Sequence, residues 1–553
     1  MLRAIVLRAR TKGKGKKTAT AALAALTVLA SAPSPDTSRR ARTADDRVHT
    51  EAGWVRGTRT AAHRTFQGIP YAAPPTGRHR WAAPRPRAPW PGVRDATRPG
   101  PLCPQVPSPY AQIASTEEDC LALNVTAPAA PTDRAAPVLV WIHGDGAVGG
   151  GGFFDGRRLA DRGTVVITVN YRLGVFGGLA HPGLEGSGTF GLQDQQAALR
   201  WVRRNAAAFG GDPGRVTVAG SSFGAAAITA HLTSPTARGL FDRAVLASGE
   251  GMMDMPAGAM GPEVPGYRWY VWRTLDELRA ASADITAPLG CADPDPAASL
   301  RCLRALPVRR ILEVPAIMNV FQAFAHGTPT LPDLPAHALR AGRFHRVPVL
   351  SGATRDEHRT FVGMRYDGVG VPFTRDDYAT ALATAFGADA PRVRAQYPLA
   401  DFPSPALAWS TVVTDRMWAL GTQAQHTALA RHVPVHAYEF ADRDAPMYLP
   451  LPGDFDFGAY HAGDTPYLFE DPEAHPLFTA AQRALADTMT DQWAAFARTG
   501  APTAPGLPDW PRHRRGAATP YTQSLAPDRI GPVDYAREHR LGFWRALPST
   551  PRP

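Results

Sequence analysis

The sequence runs to 553 residues with 44% hydrophobic content, enough to bury a large core, and length alone admits about three or four domains. Its net charge of +11 suggests nucleic acid until it is located: residues 1–46 hold ten Lys or Arg against three Asp, and the remaining +4 comes with scattered arginines that read as a solvated surface and not a phosphate-binding patch. All four lysines (Lys12, Lys14, Lys16, Lys17) precede the folded part, which excludes Schiff-base chemistry and a lysine-bearing phosphate loop there.

Residues 1–32 have the layout of a signal peptide: a basic head, an apolar run from Ala19 to Ala30, then Ala30-Ser31-Ala32. The run is too short for a comfortable membrane span, and no second long apolar stretch follows, so a secreted chain with no membrane span after processing is expected. Residues 33–46, rich in Pro, Ser, Thr, Arg and Asp, read as a disordered linker, and folded patterning begins near Val48. Thr50 to Gly57 suggests a hairpin, and Phe66 to Pro75 an irregular segment. Cys103 and Cys120 form one sequence-near pair, and Cys291 and Cys302 another. Behind an export signal these read as two local disulfides, although four cysteines permit three connectivities. A metal site is the competing reading, but no histidines accompany either pair at ligand spacing, so no metal and no cofactor are expected.

Apolar strand candidates recur at Pro137–His143, Val165–Asn170, Val216–Gly220, Ala244–Ser248, Val347–Gly352 and Val435–Phe440, with a helix over Leu192–Phe209 between the second and third. Such alternation predicts an α/β fold with a mostly parallel sheet covered by helices on both faces.

After the first of these strands comes Gly144-Asp145-Gly146-Ala147-Val148, followed by Gly149 to Gly152. It lacks the Gly-Lys-Ser/Thr of a phosphate loop, so its backbone N–H groups are better placed to receive an oxyanion. The third strand leads into Gly220-Ser221-Ser222-Phe223-Gly224 and then an Ala-rich helix. Glycine is abundant (51 residues), so the motif alone could be accidental; the strand before it and the helix after it make it a nucleophile elbow with Ser222 at the apex. Behind the strand Val347–Gly352 stand Asp356 and Glu357, either of which could orient a histidine. Of 17 histidines, His436, His345 and His432 read as structural, and His461, in a loop rich in turn residues, is one good candidate base among several.

Phe66-Gln-Gly-Ile-Pro-Tyr-Ala, Glu118-Asp-Cys-Leu-Ala-Leu-Asn-Val125, Trp141-Ile-His-Gly, Asn170-Tyr-Arg-Leu-Gly-Val-Phe-Gly177, Asp194-Gln195, Ala198-Leu-Arg-Trp-Val202 and Phe209-Gly-Gly-Asp-Pro213 follow one another in an order that resembles the type-B carboxylesterase family, to which cholinesterases belong. The likeness runs from about Val48 to Trp544 and takes in Trp493–Gly500 and Trp510-Pro511. The resemblance implies one α/β-hydrolase domain over residues 47–550, with large insertions forming the substrate gorge. It implies a Ser222–Glu357–His461 triad, which selects Glu357 over Asp356. It also implies oxyanion donors at Asp145, Gly146 and Phe223, a supporting serine at Ser248, and disulfides Cys103–Cys120 and Cys291–Cys302.

The chain also departs from the family pattern. Gly144-Asp145-Gly146 stands where three glycines are usual, Gly-Ser-Ser-Phe-Gly where Gly-Glu-Ser-Ala-Gly is usual, and His358 where a glycine follows the acid. An inward-facing Asp145 carboxylate would repel an oxyanion, and a positive φ there suits Asp less than Gly. The expected activity is hydrolysis of short- to medium-chain carboxylic esters through an acyl-enzyme, with a small-molecule ester as partner and no nucleic acid. The alternatives are a weakly catalytic or non-catalytic adhesion-type relative and a hydrolase of carbamates or lactones. Gly251–Met260 and Tyr267–Trp272 are expected either at the acyl pocket or in the core.

Overall fold

Runs such as Ala136–Ile142 and Val165–Val169 carry no polar face, and every residue of both is buried. Strands of this kind need cover on both sides, as central strands of a parallel sheet have. The computed structural model describes residues 44–547, apart from 109–110, 131–133, 367–368, 449–454, 473, 504, 515 and 518. The expected signal peptide, and the expected linker up to residue 43, lie outside the described residues, while the first strand begins at Ala44.

The strands in chain order are β1 (Ala44–Thr50), β2 (Gly53–Arg59), β3 (His63–Pro70), β4 (Val93–Asp95), β5 (Ala122–Pro128), β6 (Ala136–Ile142), β7 (Val165–Val169), β8 (Gly211–Ser221), β9 (Arg243–Ala247), β10 (Trp272–Thr274), β11 (Phe324–His326), β12 (Val349–Thr354), β13 (Val435–Phe440), β14 (Gln523–Ala526) and β15 (Arg529–Pro532). All but β10 and β11, which pair with each other, join one sheet ordered β1-β2-β3-β5-β7-β6-β8-β9-β12-β13-β14-β15, with β4 beside β2. From β7 to β14 the neighbours are parallel, and antiparallel strands extend the sheet at both edges.

The six predicted strands are present with ends shifted by a few residues. The expected hairpin at Thr50–Gly57 is the β1–β2 turn. The segment expected to be irregular from Phe66 begins inside β3, whose register shifts between Phe66 and Ile69. The predicted helix is α-helical over Phe190–Asn205 and tightens to a 3-10 turn over Ala206–Phe209, where Gly210 at φ 87° ends it.

Side-chain alternation along β6 divides the core. Val138, Val140 and Ile142 join the cluster containing helices Phe190–Asn205 and Phe223–Thr233, whereas Leu139 and Trp141 join the opposite cluster under helix Ala480–Thr499. Disulfides Cys103–Cys120 and Cys291–Cys302 both form, with Cα separations of 5.0 and 5.4 Å. The loops leaving the carboxyl ends of β6, β8, β9, β12 and β13 carry the candidate site residues, the edge at which open parallel sheets offer crevices.

Candidate active site

β8 turns into helix Phe223–Thr233 through Ser222, held at φ 57° and ψ −126°. A non-glycine residue in that region is strained, and the crossing of strand and helix is what holds it there. A Cβ on Gly224 would lie 2.1 Å from the Ile142 carbonyl oxygen, and one on Gly220 would lie 2.6 Å from the same atom, so both flanking positions must be glycine for β6 to pass the turn. The Ser222 hydroxyl therefore projects above the sheet at the first turn of the helix, where unpaired N–H groups favour negative charge.

Ser222 Oγ lies 2.8 Å from His461 Nε2, and His461 Nδ1 is hydrogen-bonded to Glu357 Oε2. The Thr354 N–H donates to Glu357 Oε1 at 2.7 Å. Glu357 is fully buried and His461 is 3% exposed, so water does not compete for this chain of bonds. The neighbouring Asp356 turns away: it accepts two bonds from Arg443, both 2.9 Å, and the Ala459 N–H at 3.0 Å. It clamps the loop that carries His461 and does not touch the imidazole. His436 is buried in β13, His345 Nε2 bonds the Ser234 carbonyl (2.7 Å), and His432 is exposed; none of the three lines the cavity around Ser222.

Sequence reasoning missed the packing around His461. Phe361 and Trp418 lie 5.2 and 4.9 Å from its ring, centroid to centroid. Trp418 Nε1 donates to His358 Nδ1 (3.3 Å) and His358 Nε2 donates to the Ala259 carbonyl (2.9 Å), so one neutral tautomer satisfies both bonds. Burial lowers the His358 pKa to about 4, in keeping with that neutral form. The residue that departs from the family pattern after the acid thus fixes an aromatic wall of the site.

The loop after β6 also answers the question raised by Asp145, which sits at φ 65°. Its Oδ1 accepts the N–H groups of Ala147 (2.8 Å) and Val148 (3.0 Å) and the Gln322 amide (3.2 Å), and Gln322 Nε2 also donates to the Asp145 carbonyl at 2.7 Å. The carboxylate is folded back on its own loop as an Asx-type staple. Burial raises its pKa, opposed by these hydrogen bonds. Gly146 N–H donates to the Gly144 carbonyl (2.9 Å), whereas the N–H groups of Asp145 and Phe223 have no hydrogen-bond partner among the described residues. The Phe223 ring stacks on Phe324, centroids 4.3 Å apart, and covers Gly146, where a Cβ would come within 2.7 Å of it.

Ser248, at φ 50°, lines the same cavity; its N–H donates to the Gly352 carbonyl (2.8 Å), and its Oγ has no partner among the described residues. Two further buried carboxyls feel the charge of Glu357. Burial, then the Glu357 charge, raises Glu250 to about 8 and Asp464 to about 6. Glu250 is therefore neutral at pH 7, which limits the negative charge gathered under the elbow.

The cavity above Ser222 measures about 660 Å³. Of the segments expected to form either pocket or core, Met253, Met260, Tyr270 and Val271 line it, while Met255 and Trp272 belong to the core. Asp145, Glu470 and Asp471 line it too, with no Arg or Lys among the described lining residues.

A parallel sheet crossed by a serine elbow and closed by a Ser–His–Glu hydrogen-bonded chain defines an α/β-hydrolase. The family model described as "Carboxylesterase family" matches residues 44–544, and the chain belongs to that family of esterases and serine hydrolases. It is 33% identical over 506 residues to the fumonisin B1 esterase of Sphingopyxis macrogoltabida, covering 86% of each chain. It is 33% identical over 490 residues to the para-nitrobenzyl esterase of Bacillus subtilis, covering 84% of this chain and 92% of that one. A solved PNB esterase superposes with a TM-score of 0.72 at 30% identity, over 90% of this chain and 99% of its own. No described helix is long and apolar enough to cross a membrane.

Proposed function

We propose that the chain is a secreted serine carboxylesterase acting on short- to medium-chain carboxylic esters with uncharged acyl groups. The observation that carries this reading is the bonded series Ser222 Oγ, His461 and Glu357 at the floor of an aromatic-walled cavity. His461 Nε2 takes the hydroxyl proton as Ser222 Oγ attacks the ester carbonyl carbon, and Glu357 holds the imidazole and stabilises its cation. The oxyanion is received by the N–H groups of Asp145 and Phe223, with that of Gly146 shared between it and the Gly144 carbonyl. The C–O bond breaks, the alcohol leaves with the proton from His461, and water repeats the sequence on the acyl-enzyme to release the acid and restore Ser222.

Export is supported by the amino-terminal pattern together with the two disulfides, which form in oxidising compartments. Acidic lining without a described Arg or Lys disfavours anionic acyl groups. The test is hydrolysis of p-nitrophenyl esters from acetate to decanoate by the mature chain beside Ser222→Ala. Activity that falls by roughly 10⁵–10⁶-fold in the variant supports the reading. Equal rates in both, or none in either, would replace it with the binding or adhesion-type role.

A further inference from the structure

Behind the wall of the catalytic cavity lies a second one, of about 390 Å³. The wall is shared: Met253 faces the catalytic cavity while its neighbours Met252 and Asp254 face the second, and in the π-helical turn Thr414–Ala419 Trp418 faces the first and Arg416 the second. Four arginines line it: Arg340, Arg416, Arg431 and Arg545. They come from helix Pro335–Arg340, the π-turn, the turn that follows the helix Leu420–Leu429 continuing that π-turn, and helix Leu541–Arg545. The one described acid in the lining is Asp254, 3.7 Å from Arg416.

Arg340, Arg431 and Arg545 form no ion pair with a described residue. Arg340 lies over the Trp269 ring at 4.5 Å, and Arg268 lies 4.9 Å from that ring, so two guanidinium groups crowd one indole. Burial, then the charge of Arg268, lowers the Arg340 pKa, and the charge of Asp254 opposes them. On the same wall Gln423, 7% exposed, has an Oε1 with no hydrogen-bond partner among the described residues. Arg416 is buried and Arg340, Arg431 and Arg545 are exposed at the mouth of the same concave site, and guanidinium forks match the geometry of carboxylate and phosphate oxygens.

We propose that this cavity is a binding site for a small multivalent oxyanion, a polycarboxylate or a phosphate, held by Arg340, Arg416, Arg431 and Arg545. Its position does not depend on the esterase reading, because the cation cluster is separate from Ser222.

Isothermal titration of the full mature chain with citrate and with inorganic phosphate, at ionic strength held constant with sodium chloride, tests it. Saturable one-to-one binding tighter than about 1 mM for at least one of the two is expected, and which one binds tells the polycarboxylate source from the phosphate source. In R431S/R545S the affinity should fall at least about tenfold. Both side chains are exposed, so the variant should keep the wild-type melting temperature; if it melts earlier, Arg545→Ser alone is titrated, with at least a threefold loss expected. No saturable binding of either anion by the wild type, or equal affinity in a correctly folded variant, overturns the assignment.

Discussion

Replacing Asp145 by Ala tests whether a carboxylate can build an oxyanion loop. The side chain satisfies the N–H groups of Ala147 and Val148, both on residues no more than 5% exposed. Truncation leaves two buried donors unpaired at about 1–3 kcal/mol each and removes the longer of the Gln322 amide's two bonds to this residue, the one to the backbone carbonyl remaining. A methyl group at φ 65° offers the loop nothing in return, so the 145–148 turn should relax and carry the Asp145 N–H away from the reacting carbonyl. One misplaced oxyanion donor raises the barrier by about 2.7–4 kcal/mol, or 10²–10³ in kcat. Asp145→Asn keeps the Oδ1 acceptor and removes the charge, so it should retain kcat within about a factor of ten. The assay is kcat and KM for p-nitrophenyl butyrate, with a melting curve for each variant. Full activity in Asp145→Ala, or equal damage in Asp145→Asn, would refute the staple.

Other outcomes follow from the same geometry. Gln322→Ala removes two bonds to Asp145 and should lower kcat about tenfold with KM little changed; a rise in KM at constant kcat would instead assign Gln322 to ground-state binding. The raised Glu250 pKa means that its neutral form stabilises the fold fully below pH 4.5 and that this is lost as pH rises through about 8. Glu250→Gln should therefore gain melting temperature over wild type from pH 5 to pH 9, and a constant difference across that range would count against it. His539 bonds Asp415 (2.7 Å) and Glu439 (2.6 Å); burial opposes its charge, but these carboxylates win and raise it to about 10. Its contribution is complete below pH 6.5 and fades as pH rises through about 10. His539→Leu leaves Asp415 with the Arg540 cation alone (3.2 Å) and Glu439 without that of His539, and should cost about 3–5 kcal/mol in urea unfolding at pH 7; an unchanged midpoint would show that the imidazolium contributes nothing.

The sequence by itself determined what is local. Fully apolar strands, the Gly-x-Ser-x-Gly turn and the glycine stop at Gly210 each report a backbone requirement met within a few residues, so the parallel sheet and Ser222 were legible without contacts. The choice of Glu357 over Asp356 came from family resemblance, because adjacent carboxylates look alike in sequence. Tertiary structure separates them: one bonds His461 and the other Arg443. The same holds for Asp145, a threat to the oxyanion when read in line, whose carboxylate is turned inward on its loop with an amide donated from 177 residues away. Arginines that read as scattered solvated charge include four that meet in one cavity, at positions 340, 416, 431 and 545. Electrostatic fields depend on distance in space, and only the packing of three separate helical segments sets that distance.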